Sequence, residues 1–197
     1  MKPVLRFAAT AAVVFALLMA PWPGLRAGYA ACFRTAGEIS FSFFWRGGDV
    51  RFEPYEEPGR EADTRVRVDE DAGPAWYTLV DSRGAGYLPL AVFLALLAAT
   101  PIGRRRKALA LVGGGLLVHG YVTLLLWINL LEGLTRHAAG CPAGAHAAWL
   151  QGPTWGHALE TAIVLFRLEP TVFLAAPVLA WLVVCVRPDD LRRWARG

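Results

Sequence analysis

Lysine is nearly missing from this chain: Lys2 and Lys107 are the only two among 20 basic residues, and the rest are arginines. Cysteine is scarce as well. Three in 197 residues exclude a disulfide-stapled scaffold and a four-cysteine zinc module. Short catalytic and metal signatures are absent, since no CxxC, HExxH, GxSxG or glycine-rich phosphate loop with its lysine occurs. Charge is thin too, at 18% of residues against 55% hydrophobic, with a mean hydropathy of +0.39. That is more apolar side chain than one soluble core of this size needs, so a purely soluble domain is excluded. The basic excess, 20 Lys+Arg against 16 Asp+Glu with a pI of about 9.2, lies at the ends of apolar runs and forms no patch, which argues against nucleic acid.

What the sequence does have is apolar runs almost free of charge: Phe7 to Ala20, Leu88 to Ala99, Ala108 to Ile128 and Thr171 to Val186. Their lengths predict an α-helical polytopic membrane protein of about four transmembrane helices, with a small extracytoplasmic insertion. The expected spans are residues 1–21, 86–102, 108–130 and 167–186, joined by a basic hairpin at 103–107 and followed by a basic tail at 187–197. Two extracytoplasmic loops, 22–85 and 131–166, complete the layout. Pro21 directly after Ala20 favours an uncleaved first helix over a removed signal peptide. Gly28-Tyr29-Ala30-Ala31-Cys32 is a loose lipoprotein box, and cleavage before Cys32 is the third alternative for this end.

The positive-inside rule orients these runs. Lys2 and Arg6, Arg104 to Lys107, and Arg187, Arg192, Arg193 and Arg196 make ten of the 20 cations and crowd three short segments. In the loop 22–85, by contrast, eight arginines are outnumbered by eleven carboxylates. A bacterial inner (plasma) membrane location with both termini cytoplasmic follows as the expectation.

The loop 22–85 is too long for a connector. Leu25, Tyr29, Cys32, Phe33 and Ala36 recur at helical spacing and predict an amphipathic helix lying on the outer membrane surface. After Gly47-Gly48 the period becomes two. Val50 and Phe52 alternate with Arg51 and Glu53, Val66 and Val68 with Arg65 and Arg67, and Trp76 to Val80 forms a third run. With turn signals at Pro54, Pro58-Gly59 and Gly73-Pro74, these runs predict a three-stranded antiparallel meander.

Candidate chemistry is sparse. His119, about 18 Å along the helix axis from Lys107, would sit deep in the third span. An ionisable group there handles protons or ligands, or is a neutral imidazole bonded to a backbone carbonyl or hydroxyl of a neighbouring helix. His137, Cys141, His146 and His157 are of metal-ligand type, but their spacings of four, five and eleven match no compact motif. No metal or other cofactor is expected. Cys32 and Cys141 both fall on the outer side and could form a disulfide pinning one outer loop to the other, whereas Cys185 stays a buried thiol. Arg83, Arg136 and Arg167 lie at the outer membrane boundary, where they could hold an anionic lipid or lipid-linked substrate.

Gly86-Tyr87-Leu88-Pro89-Leu90, leading into a Leu/Ala run, a basic hairpin, a long apolar run and a final run bearing Pro170 and Pro177, resembles the small four-span inner-membrane proteins that accompany exosortases. The resemblance implies an accessory role in envelope protein sorting or polysaccharide export. It carries over no catalytic residue. The leading expectation is therefore a non-catalytic membrane protein that docks a protein partner of the cell envelope and contacts membrane lipids. The alternative is an intramembrane enzyme or small transporter built around His119.

Overall fold

A computed structural model of the chain describes residues 3–22, 24–44, 48–70, 75–138, 161 and 170–186. In chain order it comprises helix α1 (Pro3–Met19), helix α2 (Leu25–Phe44) and strands β1 (Gly48–Pro54), β2 (Thr64–Glu70) and β3 (Trp76–Val80). A single π-helical turn (Arg83–Tyr87) then leads into α3 (Leu88–Ala99), followed by α4 (Arg104–Ala138) and α5 (Pro170–Cys185). The described residues group into two compact units. One takes 3–21, 86–121 and 171–186, and the other 22–85 with α4 from Val122 onward.

The expectation of four membrane spans is corrected here. Among the described residues one helix, Arg104–Gly133, is long and apolar enough to cross a membrane. The helices Val4–Met19, Arg83–Ala99 and Ala175–Cys185 have between 10 and 17 residues and fall short. The physical reason is local chemistry that hydropathy does not count. Pro21 follows α1 closely, and Thr100-Pro101 stops α3, because a proline disfavours helical geometry in the residue before it. The 12 regular α-helical residues of α3 rise only about 18 Å, against a hydrocarbon layer of about 30 Å.

In the first unit, Phe93 and Leu97 of α3, Ala110 and Val118 of α4, and Ala180, Trp181 and Cys185 of α5 form the core. Phe7 of α1 leans on the Trp181 ring at 5.7 Å between centroids. Gly114 is required for this packing, because a Cβ there would lie 2.1 Å from the Phe93 ring. The basic hairpin has a packing role as well. Arg106 donates to the Cys185 carbonyl at 2.7 Å and Lys107 to the Ala98 carbonyl at 2.9 Å, so two cations satisfy carbonyls at the C-terminal ends of α5 and α3. Trp181 Nε1 donates to the Thr100 hydroxyl at 2.8 Å, and that hydroxyl donates to the Leu96 carbonyl at 2.6 Å.

The outer surface of this unit is apolar. On α4, Leu109, Leu111, Val112, Leu116 and Leu117 are exposed, as are Val4, Leu5, Val13 and Leu17 on α1 and Leu179 and Val183 on α5. Only 28% of the apolar window of α4 is buried, whereas a helix in a soluble core would bury most of it.

In the second unit the strands form an antiparallel sheet in the order β1-β2-β3. Register aligns Phe52 with Val66 and Thr78, and Val50 with Val68 and Trp76. These residues point to one face because side chains alternate along a strand. Helix α2 covers that face through Ala30, Phe33 and Phe41, while Cys32 and Ala36 are exposed. Of the expected stripe, Phe33 and Tyr29 pack on the sheet, whereas Leu25, Cys32 and Ala36 do not. Gly37 allows the approach, since a Cβ there would lie 2.5 Å from the Phe52 ring. Val122, Leu126 and Leu130 of α4 join the same core, and Trp127 stacks on Phe41 at 6.2 Å. This use of α4 explains its excess length. The thirty residues Arg104–Gly133 rise about 45 Å, and Val122, Leu126 and Leu130 near their end pack in the sheet's core.

Candidate functional site

The polar features of the second unit converge on the connection between β1 and β2. Pro58-Gly59 makes a turn in which the Arg60 N–H donates to the Glu57 carbonyl at 3.1 Å. Gly59 has φ +87, the positive value that the third position of a type II turn requires, with proline preset before it. Tyr55 N–H donates to the Asp63 carbonyl at 3.0 Å and closes the base of the loop.

Asp63 ties this loop to the rest of the unit. Its carboxylate, 14% exposed, accepts from the Ser82 N–H at 3.1 Å, the Ser82 hydroxyl at 2.7 Å and the Thr64 hydroxyl at 3.0 Å. Arg26 of α2 reaches it at 4.0 Å and donates to the Glu61 carbonyl at 2.9 Å. Next along the chain, Asp81 caps the helical start. Its carboxylate accepts from the N–H groups of Arg83 and Gly84, at 3.1 and 2.9 Å.

Between this loop and the first half of α2 lies a cleft of about 720 Å³. Arg26, Ala30 and Arg34, four residues apart, and Ala27, three before Ala30, come from one side of α2. Tyr55, Glu56, Glu57, Arg60 and Asp63 come from the loop. Arg60 pairs with Glu57 at 3.1 Å, and the Tyr55 hydroxyl donates to the same carboxylate. That contact raises the Tyr55 pKa above its ordinary value, mainly because the carboxylate accepts the phenolic proton and also repels the phenolate.

The sheet face turned away from α2 is charged. Arg51 sits opposite Arg67, which sits opposite Tyr77. Each of the two arginines is neutralised within its own strand, by Asp49 and Asp69 respectively, both at 2.8 Å. The Asp49 carboxylate raises the Arg51 pKa further above its ordinary value. Arg65 lies between two aromatic rings, 5.0 Å from the Tyr55 centroid and 5.2 Å from that of Tyr77. Its Nε is buried with no hydrogen-bond partner.

The residues singled out from sequence do not gather here. His119 is exposed on α4, with Nδ1 2.8 Å from the Gly115 carbonyl one turn earlier. A carbonyl only accepts, so Nδ1 carries the hydrogen. Arg83 is exposed in the π-helical turn, and Cys32 is exposed on α2. Arg136 and His137 lie in the last turn of α4. Cys141, His146, His157 and Arg167 lie outside the described residues, and with them the disulfide to Cys32 and the histidine-cysteine metal set. Among the described residues no group of three His, Cys, Asp or Glu side chains could hold a metal ion. Sequence reasoning missed Arg34, Glu56, Asp63 and Arg65. The Pro58-Gly59 turn located the loop of Glu56 and Asp63, but Asp63 meets Ser82 across 19 residues of sequence, and no local pattern signals that.

No family model, curated protein or solved structure matches this chain.

Proposed function

We propose that the chain is an integral protein of the bacterial inner (plasma) membrane, a non-catalytic accessory that presents its α2–sheet unit to a protein partner of the cell envelope, in protein sorting or polysaccharide export. The observation that carries the membrane part is the exposed apolar surface of α4 with its neighbours α1 and α5. Water makes such a surface costly, at about 25 cal/mol per Å², and lipid does not. Arg104 to Lys107 at the start of α4 orient it with that end in the cytoplasm. The second half of α4 belongs to the sheet's core.

Partner docking is supported by the sheet's outward face, where Arg51, Arg67 and Tyr77 are exposed and Arg65 is held by stacking. Arginine and tyrosine are the residue types that anchor protein interfaces, because they bring large contact area and directional bonding. The test uses tagged full-length protein in its native membranes. Alkaline carbonate should leave it in the membrane pellet. Purification in mild detergent should retain a stoichiometric envelope protein that the double substitution Arg51→Glu with Arg67→Glu releases. Extraction by carbonate would refute the membrane reading, and an unchanged set of bound proteins in the double variant would refute docking through this face.

A further inference from the structure

We propose that the cleft between α2 and the β1–β2 loop binds a phosphoethanolamine group, with Arg34 on the phosphate and Glu56 on the ammonium. Six charged side chains line it: Arg26, Arg34, Arg60, Glu56, Glu57 and Asp63. Four of the six are committed to one another, Arg60 with Glu57 at 3.1 Å and Arg26 with Asp63 at 4.0 Å. Arg34 and Glu56 remain, one cation and one carboxylate, neither in an ion pair among the described residues.

A simple anion would satisfy Arg34 and meet repulsion from Glu56, and a simple cation would do the reverse. A ligand with a phosphate at one end and an ammonium at the other satisfies both. The walls leave room for it, since Gly24, Ala27, Ala30 and Pro54 present small or ring side chains, and about 720 Å³ is within the range of small-molecule sites. Arg34 can grip a phosphate with two parallel N–H donors, and a primary ammonium offers Glu56 three donors that a quaternary ammonium lacks.

The same chemistry could come from a phospholipid headgroup or from a free phosphate ester. Gly24 of the cleft follows the last residue of apolar α1 by five positions, and the intervening Trp22 is 55% exposed, a residue type that favours a membrane interface. That choice of source rests on the membrane reading, whereas the headgroup chemistry rests on the cleft alone.

Isothermal titration of full-length protein in a neutral detergent tests the proposal, with short-chain phosphatidylethanolamine, phosphatidylcholine and phosphatidylglycerol, free phosphoethanolamine and inorganic phosphate as probes. Phosphatidylethanolamine should bind more tightly than the choline and glycerol lipids. Arg34→Gln should weaken it about tenfold or more, the loss of one charge-assisted contact. Glu56→Gln should abolish the preference for ethanolamine over choline. Both cleft substitutions are at half-exposed or exposed positions, so folding is preserved. Equal binding of free phosphoethanolamine would support the site with a soluble ester as its source, and a lipid-only response would support it with the membrane as source. No binding of either, unchanged affinity in Arg34→Gln, or choline bound as well as ethanolamine would overturn it. Failure of the membrane reading is seen separately, as release by carbonate.

Discussion

Removing the Asp63 carboxylate should destabilise the α2–sheet unit far more than its loop position suggests. The group accepts two bonds from Ser82 and one from Thr64, and Ser82 and Thr64 are 1% and 0% exposed. In Asp63→Ala the two hydroxyls and the Ser82 N–H lose their acceptor. Each orphaned buried group costs about 1–3 kcal/mol, offset in part because the carboxylate no longer has to be desolvated. A net loss of about 2–4 kcal/mol follows, with about half of that for Asp63→Asn, whose amide oxygen still accepts. Ser82→Ala removes one donor and should cost about 1 kcal/mol. Because the two side chains share a bond, the double variant should be less destabilised than the sum, by about 1–2 kcal/mol. Urea unfolding of the full-length protein in detergent micelles, followed by tryptophan fluorescence, measures all four. Asp63→Ala within about 0.5 kcal/mol of wild type, or strict additivity with Ser82→Ala, would refute the reasoning.

Two further outcomes follow from the surface. Leu116, 71% exposed on α4, faces lipid under the proposed function, so Leu116→Arg should cost about 2.5–3.5 kcal/mol of insertion and lower the carbonate-resistant fraction; an unaffected fraction would place that face in water. Tyr55 should ionise at higher pH than an ordinary tyrosine, because Glu57 holds its proton. Glu57→Gln should therefore bring one of the five tyrosine titrations down in an ultraviolet difference experiment, and a superimposable curve would contradict the contact.

Several features were determined by the sequence alone, each through short-range physics. Alternation of Val50, Phe52, Val66 and Val68 with arginines selects the strands and the face each side chain takes, because a strand's period is two. Pro58-Gly59 selects the turn, because only glycine adopts its φ cheaply.

Tertiary structure decided the rest. Apolar content does not measure helix length, so runs that read as spans became helices of 12 to 17 residues once prolines and the π-helical turn intervened. Helix α2 has apolar residues on more than one side, and only the sheet's arrival selected Phe33 and Phe41 over Cys32 and Ala36. The Asp63 cluster and the cleft join residues from three separate segments, and long-range convergence of that kind leaves no periodic trace along the chain.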